Sequence, residues 1–285
     1  MKKLSVAIVA LLYFTQLAEA QKTAQIKTVL EAEKDYNKAV SQKGIRDGSL
    51  SMLDPEAIIF KPEPVSAKTF YTSSEKTAGK LTVTPSIARI SANGDIAFTA
   101  GSYTIKNSTD DIDYGEYLSI WRTDLYGKLK LLFNIDMQHP ETKETQNVDF
   151  KYPVVAATRI INKDPFNGRN IIITTDKLFN TSLNFSSIPA YKEFLTLDSR
   201  YFFPGFEPIV GQDKILQFVG NQAISIEALN TGAGRAISSD LAYSYGKAKI
   251  KKGEITNNYN YIRIWEPDKA HKWNILVEIF SPIEK

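Results

Sequence analysis

The chain contains no cysteine. That excludes disulfides, thiolate nucleophiles, cysteine-ligated metals and a lipid anchor built on a cleavage-site cysteine. Histidine is nearly as scarce: only His139 and His271 occur, at no paired spacing, so histidine metal sites and histidine-dependent triads lack their parts. An excess of one charge is missing too. The formal net charge is +3, and +2 once Lys2, Lys3 and Glu19 are set aside, too little for a dedicated nucleic-acid or membrane-surface binder. After residue 20 no apolar run approaches a membrane span. No cofactor and no metal is expected.

What is present begins with "MKKLSVAIVALLYFTQLAEA". It has a basic start, an apolar run from Leu4 to Phe14, and Ala18-Glu19-Ala20 as a small-x-small cleavage site. This is the pattern of a secretory leader over 1–20, with the mature chain expected from Gln21. An exported chain without cysteine fits a bacterial periplasmic or secreted protein. The basic run "GKAKIKKGE" alternates Lys247, Lys249 and Lys251 and reads as the solvent face of an edge strand.

One pattern occurs twice. "NGDIAFTAGSY" (Asn93 to Tyr103) and "SSDLAYSYGKA" (Ser238 to Ala248) share Asp, aliphatic, Ala, aromatic, two residues and Gly. Asp95 and Gly101 meet Asp240 and Gly246 at an offset of 145. Leu53-Asp54, Glu63-Pro64 and Trp121 meet Leu197-Asp198, Glu207-Pro208 and Trp265 at 144, and Asp136 and Pro140 meet Glu278 and Pro282 at 142. A period this long means two duplicated domains and not a solenoid. The expected boundaries are 21–140 for the first domain, 141–168 for a polar linker, and 169–285 for the second. Each unit reads as helix, short strand, short helix and then a run of strands separated by turn residues, an α+β order. On the first helix Ile26, Val29, Leu30, Glu33, Tyr36 and Val40 fall at helical spacing on one face.

That order, with "DIAFTAG", a strand ending in Trp121 and a last strand ending in Asp136, resembles the nuclear-transport-factor-2-like superfamily, in its SnoaL-like branch. In the second unit the matching features are Asp240 to Gly246, Trp265 and "KWNILVEIFSP" with Glu278. The resemblance covers nearly all of the mature chain. It implies two tandem cone-shaped domains, each a curved antiparallel sheet wrapped on N-terminal helices around an apolar pocket. The mid-strand Gly101 and Gly246 fit a sheet that bulges or bends. Where the second helix should start, the second unit has Gly211 and the first Ala67, which leaves open whether the first pocket is as open as the second.

The candidate catalytic residues are Glu278, then Asp136, each ending an apolar strand. A carboxylate inside an apolar pocket serves as an acid or base, whereas at a strand end it caps or pairs with a cation. Trp121 and Trp265, with Tyr117, Tyr261 and Arg263 on the same strand faces, are candidate ligand contacts or, alternatively, core. Arg263 stands where the first unit has Ser119, and wants a carboxylate from Glu278 or from an acidic ligand. Asp54, Asp198, Asp95 and Asp240 read as turn residues. "TGAGRA" (Thr231 to Ala236) leads into a strand, so the glycine phosphate-loop reading lacks its helix.

Three functions fit. The first is an exported binder of a small, partly apolar molecule without established catalysis. The second is an isomerase, dehydratase or hydrolase using a pocket carboxylate. The third is a pseudo-dimeric scaffold, its two domains paired with each other.

Overall fold

The structure is a computed structural model. It describes the backbone of residues 2–75, 79–108, 111–142, 147–153 and 165–283, and the side chains of these stretches except 2–25 and 165–167. Most of the 1–20 leader's reading rests on side chains outside the described residues.

The first unit opens with helix α1 (Lys2–Leu50), which leaves helical geometry at Gly44 (φ 82°). There follow β1 (Leu53–Phe60), β2 (Pro64–Ser66), α2 (Ala67–Ser73), β3 (Lys80–Ile90), β4 (Ile96–Lys106), β5 (Ile112–Thr123), β6 (Leu129–Gln138) and β7 (Asp149–Phe150). The second unit has α3 (Pro165–Phe185), α4 (Ser187–Phe194), β8 (Leu195–Phe202), β9 (Ile209–Val210), α5 (Gln212–Asn221), β10 (Ile224–Arg235), β11 (Ala242–Lys252), β12 (Ile255–Pro267) and β13 (Trp273–Pro282). The fold is α+β with two separate sheets, ordered β2-β1-β6-β5-β4-β3-β7 and β10-β11-β12-β13-β8-β9. Among the described residues no helix is long and apolar enough to cross a membrane.

Three details correct the sequence reading. The sheets are mixed, because β1 joins β6 and β8 joins β13 in parallel after the crossover through the long antiparallel run. The stretch read as linker supplies β7, which extends the first sheet beside β3. The lysine run lies on β11, which is flanked by β10 and β12, so it guards no edge. Lys247 there pairs instead with Glu63 of the first unit, at 2.5 Å.

The apolar face of α1 is buried as its spacing requires, with Val29, Tyr36 and Val40 in one core against Trp121. A second core gathers around α3, α4 and Trp265. A third apolar cluster draws on both sheets, from Phe98, Leu118, Ile120 and Phe133 in the first to Ile262, Ile264, Val277 and Ile279 in the second. At its margin the backbone N–H of Ala92 donates to Asp240 Oδ2 at 2.8 Å, and that of Ile237 donates to Asp95 Oδ2 at 2.9 Å. These partners are related by the repeat. The motif aspartates therefore do more than shape their turns: each also holds the other unit.

The motif glycines face a bulge. Between Pro85 and Ile87, and again between Asn230 and Gly232, the neighbouring strand carries one extra residue. A Cβ on Gly101 would lie 2.2 Å from Thr84 O, and one on Gly246 would lie 2.1 Å from Leu229 O. Gly246→Val is therefore expected to lower unfolding free energy by about 1–3 kcal/mol. Gly253→Asn, at a turn with open space around it but a left-handed φ of 59° that asparagine tolerates better than most residues, should cost less than about 1 kcal/mol. Urea melts of the two variants would contradict this account if the order were reversed.

Candidate functional site

The interior of the first unit holds a cavity of about 190 Å³. Its walls come from α1 and α2 (Tyr36, Ile45, Phe70, Tyr71), from β3 and β4 (Leu81, Val83, Tyr103, Ile105), and from β1, β5 and β6. The polar groups gather on one side. Asp136, on β6 opposite Tyr117 of β5, lines the cavity with Lys61 and Asn134. Lys61 Nζ lies 2.8 and 3.1 Å from the two Asp136 oxygens. Burial pushes the phenols of Tyr36, Tyr71, Tyr103 and Tyr117 above their ordinary range, so they stay protonated donors. The Tyr117 hydroxyl reaches toward Thr99 and Glu33 without completing a hydrogen bond to either.

Strand register changes the correspondence between the two units. Ser119 stands opposite Asn134, and Arg263 opposite Glu278. Because Ser119 and Arg263 are repeat counterparts, Glu278 corresponds to Asn134, and Asp136 corresponds to Phe280. By the parallel pairing of β1 and β8, Lys61 corresponds to Phe203. The ion pair on the first cavity's wall is thus an aromatic contact in the second unit, with Phe203 and Phe280 centroids 6.0 Å apart. Phe179, Tyr191, Tyr201 and Phe218 pack against the same cluster. Ala67 in place of Gly211 does not close the first interior; large side chains fill the second.

Glu278 faces protein and not a cavity. Its oxygens take Arg263 Nε at 2.6 Å and the Tyr191 hydroxyl at 2.7 Å, and all three side chains are fully buried. Arg263 also reaches Asp176 Oδ1 at 2.7 Å and Asn180 Oδ1 at 2.6 Å, with the Tyr261 ring 4.1 Å below it. Tyr261 spends its hydroxyl on Asp176, at 2.8 Å. Burial alone would lower the Arg263 pKa, but Glu278 and then Asp176 outweigh it and hold the guanidinium above its ordinary value. Arg263 thus has carboxylates from within the chain and no need of an acidic ligand. Trp121 and Trp265 are core in both units. Each is fully buried and donates its indole N–H, to Thr99 Oγ1 at 3.0 Å and to Ser244 Oγ at 2.8 Å. Of the seven residues singled out from sequence, Asp136 and Tyr117 line the first cavity. Among the described residues no group of three or more His, Asp or Glu side chains is placed to hold a metal.

Sequence reasoning passed over Lys61, Asn134 and Glu33. Glu33 was visible as an acid on the apolar face of α1. It is fully buried, accepts the Thr99 hydroxyl, and corresponds to Asp176, which takes Ser244 in the same way. The first unit has Ser119 where Arg263 would answer it, and burial lifts the Glu33 carboxyl from the ordinary 4.5 to about 7. The folded chain thus keeps a proton that the unfolded chain releases near pH 4.5. Glu33's contribution to stability is full below 4.5 and is lost as pH rises through about 7, a fall of about 3 kcal/mol. In Glu33→Gln the slope in urea melts run between pH 4.5 and 8 should be shallower than in the native chain by about that amount; equal slopes in the two would rule Glu33 out as a source. Arg263→Met leaves two buried carboxylates unanswered and is expected to cost about 3–5 kcal/mol. Calorimetry at pH 7 checks this, and a loss under 1 kcal/mol would contradict it.

No family model matches the chain, and no curated protein matches it. The chain is similar to nuclear-transport-factor-2-like and ketosteroid isomerase-like solved structures. An LEH-like epoxide hydrolase of M. tuberculosis is 14% identical, over 40% of this chain and 79% of its own, with a TM-score of 0.32. An NTF2-like protein from Cytophaga hutchinsonii is 14% identical over 40% and 96%, with a TM-score of 0.34. A ketosteroid isomerase-like protein from Erwinia carotovora atroseptica is 16% identical over 44% and 99%, with a TM-score of 0.37. Each match covers a stretch about as long as one unit.

Proposed function

We propose that the first unit binds a small, largely apolar molecule that carries one polar group. The observation that carries this reading is a cavity of about 190 Å³ whose apolar and phenolic walls are broken on one side by Asp136, Lys61 and Asn134. A dry cavity of roughly 150 Å³ is enough to take up a benzene-sized molecule, so the occupant is of one-ring size. Its apolar body would lie against Val83, Ile105 and Phe70, and its polar group against the Asp136–Lys61 pair. The second unit acts as scaffold, and the two form an intramolecular pseudo-dimer. The reciprocal Asp–backbone bonds, the apolar cluster drawn from both sheets and the filled second interior support that part.

The position of Asp136 supports a second reading, proton transfer on the bound molecule. Asp136 would be the general acid or base and the neutral phenols would donate to a developing oxyanion. Glu278, buried on Arg263 and Tyr191, has no part in it.

A panel of one-ring alcohols, ketones, amines and acids, screened against the full chain by ligand-observed NMR, tests the binding reading. At least one compound is expected to bind at millimolar or lower concentration. Ile105→Trp, which fills the cavity, should abolish that binding. Asp136→Asn should weaken it about tenfold, the worth of one charge-assisted hydrogen bond. A binder whose affinity survives Ile105→Trp would place the ligand elsewhere. Under the second reading Asp136→Asn stops turnover of a bound compound while binding persists.

A further inference from the structure

We propose that a cleft between the two units binds a phosphate-type oxyanion. The cleft has a volume of about 400 Å³. Arg122 and Thr123, at the end of β5 in the first unit, form one side. Arg169, early in α3, and Arg235, at the end of β10 in the second unit, form the other. Three guanidiniums reach it from three elements, and the Tyr243 side chain completes the wall.

The partners of these cations differ. Arg122 is answered by Asp54, at 2.5 and 2.9 Å, and by Glu56 at 2.8 Å. Among the described residues Arg169 has only a backbone bond, from its Nε to Ala233 O at 3.0 Å. The Nε of Arg235 is buried without a hydrogen-bond partner among the described residues. Gly168 lets α3 sit close on this side chain, since a Cβ there would lie 2.7 Å from the guanidinium. Asp95 also lines the cleft, but its two oxygens already accept Ser91 Oγ at 2.7 Å and the Ile237 N–H at 2.9 Å. Among the described residues neither Arg169 nor Arg235 has a carboxylate partner.

The repeat supplies an internal control. Arg122 corresponds to Glu266, Ile96 to Leu241, Asp95 to Asp240 and Arg235 to Ile90, by the registers of the two sheets. The second member of each pair, with Arg89, lines the counterpart cleft on the opposite side. There Arg89 is neutralised from within, meeting Asp149 at 2.7 Å and Glu266 at 3.1 Å, and Lys151 meets Asp198 at 2.8 Å, while Lys269 also lines the wall. The arginine cleft carries Arg122 and Arg235 where its counterpart has Glu266 and Ile90. Guanidiniums from three elements around one cleft suit a tetrahedral oxyanion better than a planar carboxylate; Arg169 and Arg235 would supply the N–H donors, and Arg122, already held by Asp54 and Glu56, adds positive charge. The group is inorganic phosphate or the phosphate or sulfate end of a larger molecule. "TGAGRA" thereby contributes through the Arg235 side chain and not through a glycine loop.

The test is a calorimetric titration of the full chain with inorganic phosphate at pH 7.5 and constant ionic strength, repeated with sulfate and acetate. Saturable one-site binding of phosphate is expected, competed by sulfate and at least tenfold more weakly by acetate. Arg235→Gln should weaken phosphate at least about tenfold, the worth of a charge-assisted contact. Arg169→Gln alters an exposed side chain that leaves folding intact, and should weaken it likewise. Lys151→Gln, in the counterpart cleft, should leave the affinity unchanged. The proposal is overturned by absence of saturable binding up to about 20 mM phosphate, a concentration that would fill a site with a Kd of about 1 mM. It is overturned equally by acetate binding as tightly as phosphate, or by an affinity that survives Arg169→Gln and Arg235→Gln.

Discussion

Each sheet of this protein is apolar on both faces, and that constraint sets everything else. One face of each turns toward its own helices and is covered by α1 and α2, or by α3, α4 and α5. The other has no helix to cover it. Its Phe98, Leu118 and Ile120 in the first unit, and Ile262, Ile264 and Val277 in the second, lie in one shared cluster. An apolar face that large is not stable in water, and for a duplicated chain the nearest complementary surface is its own second copy. The repeat-related bonds from Ala92 to Asp240 and from Ile237 to Asp95 have the reciprocity of an isologous contact. They account for the aspartate in a motif whose glycine serves a different purpose, the bulge on the neighbouring strand.

The helix-facing interiors solve one problem in two ways. Both place a carboxylate under the tryptophan, bound by a hydroxyl that itself receives the indole N–H: Glu33 on Thr99, and Asp176 on Ser244. A buried carboxylate needs a proton or a cation. The second unit supplies Arg263, which recruits Glu278, Asn180 and Tyr191 and fixes the core around itself. The first has Ser119 at that position and leaves Glu33 to hold its proton up to about pH 7. Without the arginine network and without Phe203 and Phe280, the first interior has room for a cavity, and its free positions carry Lys61 and Asp136. The filled unit is the more fully packed, and it carries the network most sensitive to substitution. The open unit keeps a cavity of about 190 Å³ in its interior, as a binding site requires.

Much of the fold was legible because duplication writes it twice. The offset of 144–145 located the strands, the bulge glycines and the buried tryptophans, and the spacing of Ile26 to Val40 gave the buried face of α1. The match of Asp136 to Glu278 misled, because an offset chosen for chemical likeness overrode the 144 that holds through the last two strands. Restoring 144 puts Phe280 at Asp136, and with it the reason one interior is open. Glu33 could have been found, as an acid on an otherwise apolar face. Lys61 could not. It reaches Asp136 only because β1 returns in parallel beside β6, a pairing across some 75 positions with no local signature. The charge of the inter-unit cleft was equally hidden, since Arg122 and Arg235 come from different units and meet only when the sheets pack.

Duplication within one chain also permits something that a homodimer of the same domain does not. In a twofold dimer every site occurs twice, and a substitution that opens one interior opens both, at twice the cost in stability. Here the positions are independent. An arginine at 122 and a glutamate at 266 occupy equivalent places on opposite sides of one interface, and a Lys–Asp pair in one interior is an aromatic pair in the other. The first cavity lies within the first unit, and the arginine cleft lies between the two. The Arg263 core lies within the second unit, and in the Arg89–Asp149–Glu266 cluster two residues of the first unit meet one of the second. Such independence lets one position hold stability while its counterpart departs from it, which is the form that a trade between stability and function takes when each is carried by different residues.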